Sequence, residues 1–147
     1  MRRLPPGSWL RRKVLVRATR LIYEALNRSD PDVLLARCRP EVEIHTARVG
    51  GGLDLDEVYR GREGFARLTD EWSNAWEEFR WEPFELVDLG DRLLILARQI
   101  GRGMESGVEV ELPHATVVTF DQDGWVVSMH LYWDWEEAER AVGIASP

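Results

Sequence analysis

The chain has 147 residues, of which 44% are hydrophobic and 31% charged, so its composition is that of a single folded domain and excludes a disordered or fibrous protein. Its net charge of −7 argues against nucleic acid as a partner, because an acidic body repels a phosphate backbone. The single cysteine, Cys38, excludes an internal disulfide. No apolar run approaches the length of about 20 residues that a membrane span needs, and no membrane partner is expected.

Three helices are predicted in the first half of the chain. The segment from Leu10 to Leu26 carries apolar residues at steps of three and four, which is typical of an amphipathic helix. Pro31 is expected to begin a short second helix capped by Asp30, and Arg39-Pro40 to end it. A third helix is expected to begin at Gly61. Its apolar stripe consists of Phe65, Leu68, Trp72, Trp76 and Phe79.

The rest of the chain is predicted to form strands. They are expected at 41–46, 79–88, 93–102, 108–120 and 125–133. The strand at 93–102 is predicted from a long apolar run rather than from alternation. Gly50–Gly52 indicates a flexible loop, and Asp134 followed by Glu137 is typical of the start of a last short helix. Helices followed by antiparallel strands indicate the α+β class.

The strand at 108–120 is expected to present a histidine to the interior. Val108 begins an apolar set that alternates with glutamates, and the period of two then places His114 and Thr116 on that same inward side. A bulge at Pro113 would reverse this assignment.

Two other strands supply apolar residues to the same interior. In the last strand the apolar side is formed by Val127, Met129, Leu131 and Trp133. In the first strand Val42 and Ile44 face inward, while His45 lies on the opposite side, as His130 does in the last strand. His114 is therefore the one histidine of three that is predicted to point inward.

The strand at 93–102 is apolar on both sides, because Leu94 and Leu96 alternate with Leu93 and Ile95. A strand buried on both faces needs a cover on each. Helices can cover one face, and a second subunit is predicted to cover the other, which gives a homodimer.

Four stretches in this order and spacing carry a family resemblance. They are YEALNRSDPDVLLARCRPEVEIH (23–45), YRGREGF (59–65), GDRLLILARQIGRGMESGVEVELPHATVVTF (90–120) and DGWVVSMHLYWDWEEA (123–138). Together they resemble the SnoaL-like branch of the nuclear transport factor two-like superfamily over roughly residues 15–143. The chain is accordingly divided into a SnoaL-like domain at 11–143, a leader at 1–10 that its basic residues predict to be flexible, and a tail at 144–147.

The fold that the resemblance implies is a curved antiparallel sheet wrapped around N-terminal helices as a cone, with a pocket inside and frequent dimers. The superfamily includes polyketide cyclases, ketosteroid isomerases and epoxide hydrolases. The isomerases' carboxylate base matches Ile44 here, and their oxyanion-binding acid matches Thr116. The epoxide hydrolases' Asp-Arg-Asp set matches Arg98, Ile100 and Leu131, of which only the arginine is retained. Neither catalytic set is intact.

Three residues are candidates for catalysis, and each has a structural alternative. His114 could act as a general acid or base on a bound carbonyl compound, or be a buried histidine paired with polar neighbours. Arg98 could bind an anionic or carbonyl oxygen, or pair with a carboxylate at the end of its strand. Thr116 could donate a hydrogen bond to a ligand oxygen, or bond to the backbone.

Seven apolar residues are expected to line the pocket, although aromatic residues at such spacings are also typical of a plain core. They are Ile44, Trp72, Trp76, Ile100, Met129, Leu131 and Trp133. No metal is expected, because His45 and His130 lack the spacing of metal ligands. No cofactor is expected either, because no glycine-rich phosphate-binding loop is present.

Two functional hypotheses follow. The first is a pocket protein that holds a small apolar compound with a carbonyl or hydroxyl group and, if it is an enzyme, catalyses proton transfer as an isomerase or cyclase does. The second is a non-catalytic dimeric module whose pocket is vestigial or filled by side chains. An enclosed, partly polar void of several hundred Å³ would favour the first. Arg17 and Arg20 interrupt the only candidate signal peptide, so a cytoplasmic location is expected.

Overall fold

Six strands and four helices make up the part of the chain that the computed structural model describes, residues 8–46, 58–74, 76–103 and 106–144. The helices are α1 (Trp9–Asn27), α2 (Asp32–Leu35), α3 (Gly61–Ser73) and α4 (Trp135–Ala141). The strands are β1 (Cys38–Thr46), β2 (Val58–Arg60), β3 (Trp76–Asp88), β4 (Arg92–Gly103), β5 (Glu109–Phe120) and β6 (Val126–Tyr132). The predicted loop at Gly50–Gly52 and residues 1–7 of the predicted leader lie outside the described residues.

Helices α1 and α4 begin at residues whose side chains cap them. Ser8 caps α1, its hydroxyl accepting a hydrogen bond from the Arg11 amide at 3.0 Å. Asp134 caps α4 by accepting from the amides of Glu136 and Glu137. Helix α3 ends at Ser73, so the prediction that its stripe continues through Trp76 and Phe79 is wrong. A step of four residues fits both a helix and a strand, which is why the spacing misled.

The strands form one sheet in the order β2-β1-β6-β5-β4-β3. Neighbouring strands pair antiparallel except β1 and β6, which pair parallel. This confirms the predicted α+β class and adds one parallel pairing to the expected antiparallel sheet. Local turns encode hairpins between consecutive strands, but no local signal encodes the pairing of the first long strand with the last.

The helices pack on the inner side of the sheet. Helix α1 packs against β3, and α3 contacts β1, β2 and β3, so strands from both edges of the sheet meet the same helix. The buried residues on this side form the larger core cluster, which includes Val42, Ile44 and Tyr59. The sheet is therefore curved around its helices.

A register shift between β5 and β6 changes which side chains face inward, whereas β5 is regular at Pro113. Pro113 lies opposite Arg98 in an unbroken β4–β5 register, so the bulge considered at this proline is absent. The register of β5 and β6 shifts instead at Val127. Val126 is buried there, and Val127, predicted to belong to the inward set, is the inserted residue. Val108, predicted to be apolar core, is 58% exposed.

The outer side of β4 is covered by this chain's own helix. Leu94 and Leu96 pack with Ala138 and Val142 of the α4 region in a second core cluster. The indole Nε1 of Trp135 donates to the Ala97 carbonyl at 2.9 Å and fixes α4 on the sheet. The argument that a second subunit must bury this face is therefore wrong, because the sequence reasoning assigned no helix to it.

A buried ion pair joins the start of α1 to the turn between β3 and β4. The Arg11 guanidinium donates to both carboxylate oxygens of Asp88, at 2.7 and 3.0 Å, and to the Gly90 carbonyl at 2.6 Å. Arg11 is 5% exposed. This contact attaches Arg11, the residue that follows the predicted leader, to the β3–β4 turn. Among the described helices, none has the length and apolarity to cross a membrane.

Candidate functional site

A cavity of about 590 Å³ lies between the inner side of the sheet and helices α1, α2 and α3. This volume is within the range of small-molecule sites. Its walls are mostly apolar, with α1 contributing Leu15, Ala18, Ile22 and Leu26 and the sheet contributing Ile44, Leu93, Ile95, Val118, Met129 and Leu131.

The cavity runs along β5. His114, Thr116, Val118 and Phe120 line it at successive levels, because alternate residues of a strand share one side. At about 3.3 Å per residue, the distance from His114 to Phe120 is about 20 Å. We call the end near His114 the deep end, which is lined by Trp72, Trp81, His114 and Trp133.

The opposite end, which we call the mouth, carries the exposed lining residues. They are Ser29, Ala36, Asp123, Gly124 and Trp125, from the α1–α2 connection, the end of α2 and the β5–β6 turn. Arg39 braces this turn by pairing with Asp121 at 2.6 Å and lying over the Trp125 ring at 5.4 Å.

His114 is buried among aromatic rings at the deep end. Its ring centroid is 4.8 Å from that of Trp133 and 5.9 Å from that of Trp81. Burial lowers the pKa of His114 to about 4, so the imidazole is neutral at pH 7. Its Nδ1 atom is buried without a hydrogen-bond partner among the described residues. The alternative of a histidine satisfied by polar neighbours does not describe this arrangement.

Two hydroxyl groups lie one level nearer the mouth. Tyr23 of α1 and Thr116 of β5 both line the cavity, with the Thr116 side chain beside the Tyr23 phenol. Burial raises the pKa of Tyr23 to about 12, an effect that Thr116 partly offsets. The phenol is therefore protonated and can donate a hydrogen bond. Sequence analysis missed Tyr23, which was not among the residues of the apolar stripe that predicted α1.

Trp81 and Gln99 are further residues that sequence analysis missed. The Trp81 indole Nε1 donates to Gln99 Oε1 at 3.2 Å, and Gln99 is completely buried. Trp81 lines the deep end through its ring. The alternation of Phe79 and Trp81 with Arg80 and Glu82 could have predicted that the two aromatic residues share one side of β3.

Arg98 does not face the cavity. It follows Ala97, which lies opposite His114 in the β4–β5 register, and so projects from the other side of the sheet. There its guanidinium pairs with Glu111 at 3.2 Å and lies 4.4 Å from the centroid of the Phe84 ring. The expectation that Arg98 and His114 share the interior is therefore wrong. Arg98 is instead paired with a carboxylate, which was the structural alternative.

Five of the seven predicted pocket residues line the cavity, namely Ile44, Trp72, Met129, Leu131 and Trp133. Ile100 does not, because it shares the outer side of β4 with Arg98. Trp76 does not either. It lies over Gly101, where an added Cβ would come within 2.7 Å of its ring, and it reaches the cavity only through its contact with Trp72.

The other two histidines lie outside the cavity, on the side that was predicted. The rings of His45 and His130 stack in parallel with centroids 4.3 Å apart, and His45 Nε2 is 3.2 Å from Glu43 Oε1. Burial, followed by the proximity of His45, lowers the pKa of His130. Within the described ranges, no group of three His, Cys, Asp or Glu side chains is placed to hold a metal ion.

A sheet curved around N-terminal helices, with a cavity between them, is the fold that this chain shares with a solved structure described as NTF2-like. The family model described as a SnoaL-like domain matches residues 19–129, and the chain belongs to this SnoaL-like family. The predicted resemblance is thereby confirmed. The comparison with curated proteins finds no match.

Solved structures similar to this one share the fold. An NTF2-like protein of unknown function from Burkholderia pseudomallei K96243 is 22% identical, with a TM-score of 0.71 over 87% of this chain and 96% of that one. TerC, co-crystallised with polyporic acid, is 19% identical, with a TM-score of 0.70 over 86% and 96%. A SnoaL-like polyketide cyclase from Jannaschia sp. CCS1 is 18% identical, with a TM-score of 0.66 over 90% and 92%.

Proposed function

We propose that this protein binds a small apolar molecule carrying a carbonyl or hydroxyl group in the cavity between its sheet and its helices. The observation that carries the proposal is a cavity of about 590 Å³ with apolar walls and a few polar groups, His114, Tyr23 and Thr116. Such a combination is typical of small-molecule sites. The similar structure of TerC holds polyporic acid, which supports a small organic ligand.

The second hypothesis, a module with a filled pocket, requires tryptophan side chains to close the cone. Trp72 and Trp133 do occupy the deep end, where their rings stack with centroids 4.6 Å apart. They leave the levels from Thr116 to the mouth open. The cavity volume therefore favours ligand binding over the filled module.

We further propose that any reaction in this cavity is a proton transfer without cofactor. Neutral His114 would accept a proton from the carbon next to a bound carbonyl through Nε2, and would return it to another carbon of the same molecule. Tyr23 and Thr116 would donate hydrogen bonds to the oxyanion that develops meanwhile. One level of the strand, about 7 Å, separates the base from these donors and leaves room for a carbonyl and its neighbouring carbon. Arg98 has no part in this step.

Binding of Nile red, a neutral apolar fluorophore, tests the proposal. Wild-type protein is expected to bind it with enhanced fluorescence. In Ala18→Trp, an indole placed on the cavity wall is expected to weaken binding at least about tenfold, because it occupies ligand space. The matched control is Ala66→Trp, at an exposed position of α3, which is expected to bind as the wild type does. Wild-type protein that does not bind the probe, or equal binding by Ala18→Trp, would contradict the proposal.

The predicted homodimer and cytoplasmic location also stand as proposals. Since α4 covers the outer side of β4, a dimer would use the outer side of β1 and β6 instead, where His45 and His130 are half-buried. Light scattering at micromolar protein is expected to give twice the chain mass. A mass of 17.0 kDa would exclude the dimer.

A further inference from the structure

The buried side-chain polar atoms that lack a hydrogen-bond partner are concentrated in one place. Within the described part of the chain they are Nε1 of Trp72, Trp76 and Trp133, Nε2 of Gln99 and Nδ1 of His114, and we call these five residues the donor cluster. Buried polar groups in folded proteins are nearly always paired. Trp72, His114 and Trp133 line the deep end, and Trp76 and Gln99 contact residues that line it. The unpaired atoms therefore indicate a partner that completes them.

Contacts between side chains make the cluster continuous. The rings of Trp72 and Trp133 stack with centroids 4.6 Å apart, and Trp133 meets His114 edge-on at 4.8 Å. His114 contacts Trp81 at 5.9 Å, and the Trp81 indole donates to Gln99. A ligand group at this point would meet several members of the cluster together.

The chemistry of the cluster specifies what the partner must be. An indole N–H and an amide NH₂ only donate, and the Gln99 oxygen that could accept is already bonded to Trp81. Four of the five unpaired atoms are thus donors, so the missing partner is an acceptor. The deep end offers it no counter-charge, because His114 is neutral at pH 7 and Arg98 lies on the other side of the sheet. A carboxylate bound there would be a buried charge without a cation, which is costly. A neutral carbonyl oxygen carries no charge and avoids this cost.

We propose that the deep end is a carbonyl-binding subsite in which the indole N–H groups of Trp72 and Trp133 donate to the carbonyl oxygen of an otherwise apolar ligand. This rests on the proposed function and adds a second polar contact: the carbonyl that would react lies beside Tyr23 and Thr116, and a further carbonyl of the ligand enters the deep end first. The indole nitrogens are closed off from the cavity, so the stacked pair must part to admit the oxygen. Trp72 lies in the last turn of α3, and Trp133 directly follows β6. Each residue therefore has regular backbone hydrogen bonding only on its N-terminal side.

Fluorene and fluorenone test this subsite, because the two molecules have the same rings and differ at one position. Fluorene has a CH₂ group there, and fluorenone has a carbonyl. Dissociation constants are measured by displacement of Nile red. Fluorenone is expected to bind wild-type protein about tenfold more tightly than fluorene, as two hydrogen bonds to a neutral group would give. Trp72→Phe and Trp133→Phe keep an aromatic ring without the N–H. Each is expected to reduce the ratio of fluorenone affinity to fluorene affinity, and the double variant to bring this ratio to about one.

The control is Trp9→Phe, at a residue that is 70% exposed and outside the cavity, which is expected to keep the wild-type preference. Equal affinities of wild-type protein for fluorene and fluorenone would overturn the subsite and leave the proposed function standing. Failure of both to displace the probe would contradict the proposed function itself. Tighter binding of fluorene carboxylate than of fluorenone would overturn the assignment to a neutral carbonyl.

Discussion

Single residues show how strongly burial changes the chemistry of this interior. The pKa values of His114 and Tyr23 are shifted in opposite directions, to about 4 and about 12, because burial disfavours the charged form of each. Both side chains are therefore neutral across the physiological range. A neutral imidazole can accept a proton and a neutral phenol can donate a hydrogen bond, which are the roles that the proposed reaction assigns to them.

The shift of His114 predicts how stability depends on pH. The unfolded chain takes up a proton near pH 6.5, whereas the folded chain resists it until about pH 4. Stability should therefore fall as the pH decreases from 6.5 to 4, with a total loss of about 3 kcal/mol from this residue. Urea unfolding of wild-type protein and His114→Gln at pH 7 and pH 4.5 measures it.

The wild type is expected to lose about 2 kcal/mol more than the variant between these two pH values. Groups such as Glu43, whose pKa is lowered by its hydrogen bonds to Arg60 and His45, titrate in both proteins and cancel in the comparison. An identical loss in both proteins would mean that His114 is not buried as described.

At the scale of elements, the position of α1 determines the cavity, because this helix supplies one wall of it. Its first turn is attached to the β3–β4 turn by Arg11, which bonds to Asp88 and to the Gly90 carbonyl. The side chains of Arg11 and Asp88 are 6% and 11% exposed. Removal of Arg11 would take a bidentate guanidinium from the buried Asp88 carboxylate, which is far costlier than the loss of an exposed pair.

Arg11→Ala is therefore expected to lower the free energy of unfolding by about 3 kcal/mol. The matched control is Arg80→Ala, which breaks an exposed pair with Glu82 and is expected to cost at most about 0.5 kcal/mol. Chemical denaturation of the two variants compares them. Equal, small losses would show that the Arg11 contact does not hold α1 in place.

Much of the fold was predictable because its signals are local. Period-two alternation placed His114, Thr116 and Ile44 on the cavity side, and apolar spacing predicted α1. Arg98 was misplaced because both sides of β4 are apolar, so alternation alone cannot say which side is inward. That choice depends on which helix covers each side, and it is made by the packing of α4, far away in the sequence. The Trp81–Gln99 hydrogen bond joins two strands and had no sequence signal of its own.

At the scale of the whole molecule, polar groups in the cavity are graded from the mouth to the deep end. Charged side chains of Arg39 and Asp121 brace the mouth, hydroxyl groups lie midway, and unpaired N–H groups lie at the deep end. The walls between them are apolar. This gradient is what the proposed ligand, an apolar molecule that enters with a carbonyl first, would require.

A crystal structure of the protein grown with fluorenone tests this account most directly. We expect electron density for the ligand inside the cavity, with its carbonyl oxygen about 3 Å from the indole nitrogens of Trp72 and Trp133 and those two rings no longer stacked. Density for the ligand only on the outer surface, with the cavity closed by its own side chains, would contradict the central claim that this fold encloses a ligand site.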